Sequence, residues 1–244
     1  MLSGPGETLL AVVLQDLVFF MLTVGFFWVG VYLWRRVLGS PTSYSLAPLG
    51  FQRPRGGYLT GAILGFWVGV VAIGASLVVT PLSTYVLEQL GYPTESRVQG
   101  PFMEGLSGWI GKDPGTAIPA IIAVVIFFGP AIEELVFRGA IFGGFYRLGL
   151  FFSRKLGSKT DTVRKESGER VSFVLSALFS SVPFALAHLE PVALPMLLVL
   201  AVGLCALYRR TGSLLPTLVA HATFNSFAVL LIILSGLRVL PLPA

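Results

Sequence analysis

Within residues 116–146 the only charged side chains are Glu133, Glu134 and Arg138. An ionisable group at the centre of a bilayer costs about 2.5 to 3.5 kcal/mol on the lenient insertion scale, so three within so short a stretch call for a chemical reason. On an α-helix, positions four apart overlie one another, which puts Glu134 and Arg138 on one face. A buried carboxylate is tolerated when paired, and Arg138 is expected to neutralise and orient Glu134. Glu133 points elsewhere, with Phe137 one turn on, and is left as the carboxylate able to take up a proton.

The chain has two histidines, His188 and His221, each in or at the edge of an apolar stretch. His221 is followed at i+4 by Asn225, and His188 stands four after Phe184, so each pair shares a helix face. Polar groups in apolar helices are satisfied by meeting in the bundle interior. Such a set would suit a water activated by Glu133 and His188, with His221 and Asn225 donating to the oxyanion formed on a carbonyl. That is peptide hydrolysis without an acyl-enzyme. The plainer reading is a structural Glu–Glu–Arg cluster beside two satisfied core histidines.

The elements that must position these residues follow from composition: 55% of residues are hydrophobic, 12% are charged, and mean hydropathy is +0.82. A soluble domain carries about 25% charged residues. Apolar stretches run over 9–34, 58–80, 116–146, 171–188, 192–208 and 213–235. Because backbone groups in lipid must be satisfied within the segment, they read as helices. The expected fold is all-α: a multi-pass transmembrane bundle of about six spans in the cell membrane, with a catalytic cavity inside. The third stretch is long enough for a span plus a half-helix, with Gly129 and Pro130 as the expected break.

Net charge is +5 and pI near 9.6. The basic residues cluster between apolar runs, where they meet lipid headgroups and set topology, so no nucleic-acid partner is expected. Lys and Arg number four in 35–57, two in 81–115 and seven in 147–170, followed by Arg209 and Arg210. By the positive-inside rule the first, third and fifth connections face the cytoplasm and both termini lie outside. The N-terminus lacks a basic n-region, so the first stretch is expected to remain as a span. Residues 153–170 read as a mobile cytoplasmic loop and 81–115 as an irregular external connection. Cys205, the only cysteine, excludes an intrachain disulfide or thiolate metal site and reads as a buried structural thiol. Ser172, Ser176 and Ser180 form a stripe suited to close helix packing. Asp16 is a lone carboxylate in the first stretch, facing either a partner in the bundle or an interface.

The three pairs of spacings match a family. Glu133, Glu134 and Arg138 fit an EExxxR motif, Phe184 and His188 an FxxxH motif, and His221 and Asn225 an HxxxN motif, in the family's order. The chain resembles the CPBP intramembrane proteases, which include the CAAX prenyl proteases of the Rce1 type and bacterial proteins linked to bacteriocin processing and self-immunity. The resemblance spans about 116–231. It implies a metal-independent glutamic endopeptidase without a cofactor: Glu133 and His188 activate water, His221 and Asn225 form the oxyanion site, and Glu134 and Arg138 support them. It also implies a partner that is a membrane-associated or lipidated peptide, of which prenylated CAAX tails are the known case. The organisation expected is N-terminal spans and external connection over 1–115, a protease core over 116–235 with an inserted cytoplasmic loop at 149–170, and a tail over 236–244.

Two other classes compete. In a metal-dependent hydrolase the Glu and His residues would bind zinc, but HExxH spacing is absent and Arg138 would repel a cation. In a transporter or scaffold the same residues would relay protons. One expectation also strains another. If 171–188 runs outward from the cytoplasm, His188 ends near the far face, whereas Glu133 lies mid-bilayer. A shared site requires common depth, so the fourth stretch must be short and tilted, or partly outside the hydrocarbon.

Overall fold

A computed structural model describes residues 4–38, 45–96, 98–156 and 162–240. Among these the chain is helical and without strands. The helices are α1 (Pro5–Leu38), α2 (Tyr58–Gln89), α3 (Gln99–Lys112), α4 (Pro114–Ile121), α5 (Gly129–Glu133), α6 (Gly143–Leu156), α7 (Thr162–Ala187), α8 (Leu194–Thr211) and α9 (Leu214–Gly236). A 3₁₀ turn, Ala47–Leu49, buries Leu49 between the first two. Six stretches among the described residues are long and apolar enough to cross a membrane, at Leu9–Gly30, Tyr58–Gln89, Pro114–Lys155, Glu166–Ala187, Leu194–Thr211 and Leu214–Gly236. The protein is a multi-pass, all-α membrane bundle.

Small residues decide which face turns inward, because lipid is as apolar as a leucine core. On α2, Gly61, Gly65, Gly69 and Ala72 are buried, while Leu59, Phe66, Trp67 and Val71 are exposed. A Cβ on Gly65 would lie 2.3 Å from the Pro216 carbonyl oxygen, and one on Gly69 2.6 Å from that of Ala220. The glycines thus bring α2 against the half of α9 that leads to His221. Ser180, from the serine stripe on α7, donates to the Phe137 carbonyl at 2.7 Å and fastens α7 to the segment after Glu134.

The third span is one rod, from α4 to α6, and the expected break at Gly129 and Pro130 takes another form. Right-handed helical dihedrals continue through Gly129, and π-helical windings flank α5 at Ile122–Phe128 and Glu134–Phe142. Proline lacks an N–H and crowds the carbonyl four residues back. The preceding wide turn accommodates both, with Gly129 N–H bonding the Val124 carbonyl five residues back. Glu133 and Glu134 stand where the winding changes from α to π, a placement typical of functional sites.

Two connections are more ordered than the sequence suggested. Helix α2 continues through Pro81 to Gln89, and α3 and α4 occupy most of the remainder of 81–115. Asp113 ends α3 and caps α4. It accepts the Thr116 N–H at 3.3 Å and the Thr116 hydroxyl at 2.5 Å, which holds its carboxyl below the usual carboxylate range. In the connection expected to face the cytoplasm, α6 extends to Leu156 and α7 starts at Thr162; the middle of the expected loop lies outside the described residues.

Helix α3 resolves the depth conflict. Glu190, two residues after His188, accepts the Ser96 hydroxyl at 2.7 Å and the backbone N–H groups of Val98 and Gln99 at 3.2 and 2.6 Å. The turn after α7 is thereby fixed at the start of α3. From there α3 climbs 14 residues, about 21 Å at the α-helical rise. It ends beside the C-terminus of α9, where Ser107 bonds Ser235 at 3.2 Å and Ile110 packs on Gly236. The Phe184 ring touches both His188 and His221, which puts the two histidines at one level. The 26 residues of α7, about 39 Å, exceed a hydrocarbon core of about 30 Å. Its C-terminal turn is held at the start of α3 by Glu190.

Candidate active site

The site is built from three helical elements, with a fourth beside them. The rod contributes Glu133, Glu134 and Arg138; α7 and its terminal turn contribute Phe184 and His188; α9 contributes His221 and Asn225. The fourth element, α1, brings Asp16.

At the core lies an ion pair. Glu134 Oε1 is 2.9 Å from an Arg138 guanidinium nitrogen, with side-chain exposures of 1% and 0%. Breaking such a pair leaves an uncompensated buried charge, so it persists only where its surroundings complete it. Arg138 stacks at 4.3 Å over the centre of the Phe184 ring, a cation–π contact in a dry setting. The same Glu134 oxygen lies 2.9 Å from His221 Nδ1. Thr217, one turn before His221 and fully buried, also faces Glu134.

An ionised carboxylate only accepts, so the Glu134 contact makes Nδ1 the N–H of the His221 ring. The other ring nitrogen, Nε2, faces Glu133 Oε2 at 3.6 Å. His221 therefore stands between the glutamates, one buried and ion-paired, the other 31% exposed. Asn225, one turn on, donates Nδ2 to the Val125 carbonyl at 3.0 Å, which fixes its amide and leaves its second N–H uncommitted. Val125 lies in the π winding before Gly129, whose redirected carbonyls supply that acceptor.

His188 Nδ1 is 2.8 Å from the Phe184 carbonyl oxygen. A carbonyl accepts, so Nδ1 carries the proton and Nε2 is the free base. The Phe184 ring joins the two histidines, its centre 4.9 Å from the His188 ring and 5.8 Å from that of His221. His188 meets the cluster through this ring.

Five of the six residues named from the sequence thus join one network of contacts, while Asn225, one turn beyond His221 on α9, is bonded to the Val125 carbonyl instead, and three further participants emerge. Phe184 is an aromatic floor touching Arg138 and both histidines. Thr217 carried a signal in its i−4 spacing to His221. Asp16, 5% exposed, has its Oδ2 3.6 Å from the position of a Cβ on Gly129, one turn before Glu133. Its signal was a carboxylate alone in an apolar run. Among the described residues no group of three His, Cys, Asp or Glu is arranged to hold a metal ion. The Arg138 guanidinium occupies the place beside Glu134 where a cation would gain most.

Residues 115–227 match the model of the family described as Type II CAAX prenyl endopeptidase Rce1-like. The matched segment, a little under half of the chain, contains all three motifs, so the motif resemblance and the family model agree. The chain is also similar to the protein named "Putative membrane peptidase YdiL" from Bacillus subtilis (strain 168), at 28% identity over 115 residues. That similarity covers 47% of this chain and 38% of the relative. The chain thus spans well under half the length of the curated relative it matches. No solved structure matches it significantly.

Proposed function

We propose that this chain is an intramembrane endopeptidase of the CAAX prenyl endopeptidase type, which cleaves membrane-associated or lipidated peptides with a water activated by Glu133 and His188. The observation that carries this reading is the gradient of burial across the acid–base network. Glu134, Arg138 and His221 are closed off and mutually paired, whereas Glu133 keeps 31% of its side chain open and His188 is partly exposed.

In the reaction, Glu133 removes a proton from water, with His188 Nε2 as the second acceptor orienting the same molecule. The oxygen bonds the peptide carbonyl carbon, and the negative charge moves to the carbonyl oxygen. Asn225 offers its free N–H to that oxyanion. His221, held by the Glu134 carboxylate through Nδ1, is the second group of the oxyanion site. As the C–N bond breaks, the proton held by Glu133 passes to the leaving amine, which restores the starting charges. Arg138 keeps Glu134 ionised and fixed, so its part is in placing His221.

The match to the CAAX prenyl endopeptidase family supports a peptide near the membrane as substrate, and the apolar spans that carry the site suit a peptide held there by a lipid anchor. The test is cleavage by the purified protein in lipid vesicles, using a farnesylated peptide and its unmodified counterpart. Cleavage is expected for the parent and absent for Glu133→Gln at an unchanged unfolding temperature. Equal turnover by the parent and this variant would overturn the mechanism, and equal turnover of both peptides would overturn the lipidated substrate.

A further inference from the structure

At the opposite end of the rod from α4, a cavity of about 390 Å³ opens between the segment before α2, the start of α6 and the end of α8. Each of these elements sends one arginine to its wall: Arg55, Arg147 and Arg209. Residues 45–57, α6 and α8 contain no Asp or Glu. Glu169, on α7, comes within 4.0 Å of an Arg209 nitrogen, but both side chains are exposed, and such a surface pair contributes little. The cavity wall is therefore strongly cationic.

The three arginines are placed by the fold. Arg147 donates Nη1 to the Pro48 carbonyl at 2.6 Å, and the same nitrogen lies 3.0 Å from where a Cβ on Gly143 would stand. Arg209 lies over the rings of Tyr146 and Phe173, 5.7 and 5.0 Å from their centres. Gly212, at φ +70°, leaves room for Arg55, whose Nε is 3.9 Å from the position of a Cβ there. The carbonyls that end α8 already have other donors. Thr211 accepts the Arg55 backbone N–H at 2.9 Å, and Gly212 accepts the Gln52 side-chain amide at 2.5 Å. A guanidinium has five N–H donors in a planar fork suited to phosphate oxygens, and these contacts occupy few of them.

The level of the cavity identifies the source of the phosphate. Helices α2 and α9 begin at Tyr58 and Leu214, and α8 ends at Thr211; all three are apolar spans. The cavity thus lies where three helices leave the hydrocarbon, at headgroup height. Leu46 and Phe51, on the segment that lines it, expose 39% and 55% of their surface, and Phe151, one turn after Arg147, exposes 43%. Apolar side chains beside a cationic pocket suit a ligand that carries acyl chains.

We propose that Arg55, Arg147 and Arg209 form a binding site for the phosphate of an anionic phospholipid headgroup, at the end of the bundle expected to face the cytoplasm. The bound phosphate ties the rod to residues 45–57 and to the turn from which α9 starts. The site is separate from the glutamate–histidine cluster and does not rest on the reading of that cluster as a protease.

The test is thermal unfolding of the purified protein in neutral detergent, titrated with phosphatidylglycerol, with phosphatidylcholine of the same chains, and with inorganic phosphate. A ligand that binds only the folded state raises the unfolding temperature with its concentration. Phosphatidylglycerol is expected to raise it in the parent, and the other two to leave it unchanged. In the double variant Arg55→Gln, Arg209→Gln the same rise should need at least about tenfold more phosphatidylglycerol, the worth of one hydrogen bond to a charged group. Arg55→Lys with Arg209→Lys, which keeps the charge and loses the fork, should recover only part of this. Arg154→Gln with Lys155→Gln, which removes equal charge from α6 outside the cavity, should titrate like the parent. Equal weakening in that control would mean diffuse attraction to the basic end, and overturns the site. An equal rise with phosphatidylcholine overturns it too, and an equal rise with inorganic phosphate overturns the lipid as ligand. If the glutamine variant does not fold, native mass spectrometry of the parent decides: phosphatidylglycerol should stay bound under activation that strips phosphatidylcholine, and equal loss of both overturns the proposal.

Discussion

Neighbouring glutamates one residue apart meet different surroundings here because helical rotation sends one to Arg138 and the other toward the open side of the cluster. Glu134 is expected to be structural first. In Arg138→Met the carboxylate stays buried without its partner, a loss of about 3 to 5 kcal/mol. This would register as a lower unfolding temperature in detergent before any loss of turnover is considered. Glu133→Gln removes an exposed group and should leave that temperature in place while cutting kcat by about 10² to 10⁴, the span for general acid–base catalysis. A parallel fall in stability would mean that the glutamates share one structural role. For His188→Ala the same loss of turnover is expected with the fold intact, since its partners are the carbonyl and ring of Phe184. Phe184 itself, fully buried under Arg138 and both histidines, belongs with the structural group.

Helices reach the site through close approaches that the side chains themselves do not advertise. Glycines on α2 let α9 approach until a Cβ at Gly65 would overlap the Pro216 carbonyl. Gly65→Val should therefore displace the half of α9 bearing Thr217 and His221. Overpacking of this kind costs about 1 to 3 kcal/mol, and activity should fall with stability, whereas Gly74→Val, which meets open space, serves as the control. The second approach is the clamp of Glu190 on the start of α3. Glu190→Ala leaves the Val98 and Gln99 N–H groups without that acceptor, a cost of about 2 to 3 kcal/mol for bonds to a charged group. Limited proteolysis near residues 90–98 should speed up, and kcat should drop because His188 sits on the same turn. A variant with parental proteolysis would show that the turn is held by its apolar neighbours instead.

At the scale of the molecule, six spans and the distribution of Lys and Arg predict that the α6–α7 connection faces the cytoplasm. In a Cys205→Ala background, Ser167→Cys, on the exposed start of α7, should react with an impermeant thiol reagent in inside-out vesicles and not in intact cells; the opposite pattern would invert the topology. From the sequence alone came the environment, the helical class and the seven motif residues, because composition and i, i+4 spacing are local properties that survive without coordinates. The serine stripe also read correctly as packing, since a small polar side chain between long apolar helices has a backbone carbonyl as its ready partner. The close insertion of Asp16, the stacking role of Phe184, the contact between His221 and Glu134, and the π windings around Gly129 and Pro130 were settled by tertiary structure. So was the common depth of His188 and His221, which hydropathy could not supply because it treats each helix as a separate, full-length span. Helix α3, short and of ordinary polarity, runs from the turn after α7 to the end of α9. Depth and partner choice are relations between elements, fixed by which backbones can approach and which buried charges must be matched, and no single segment carries that information.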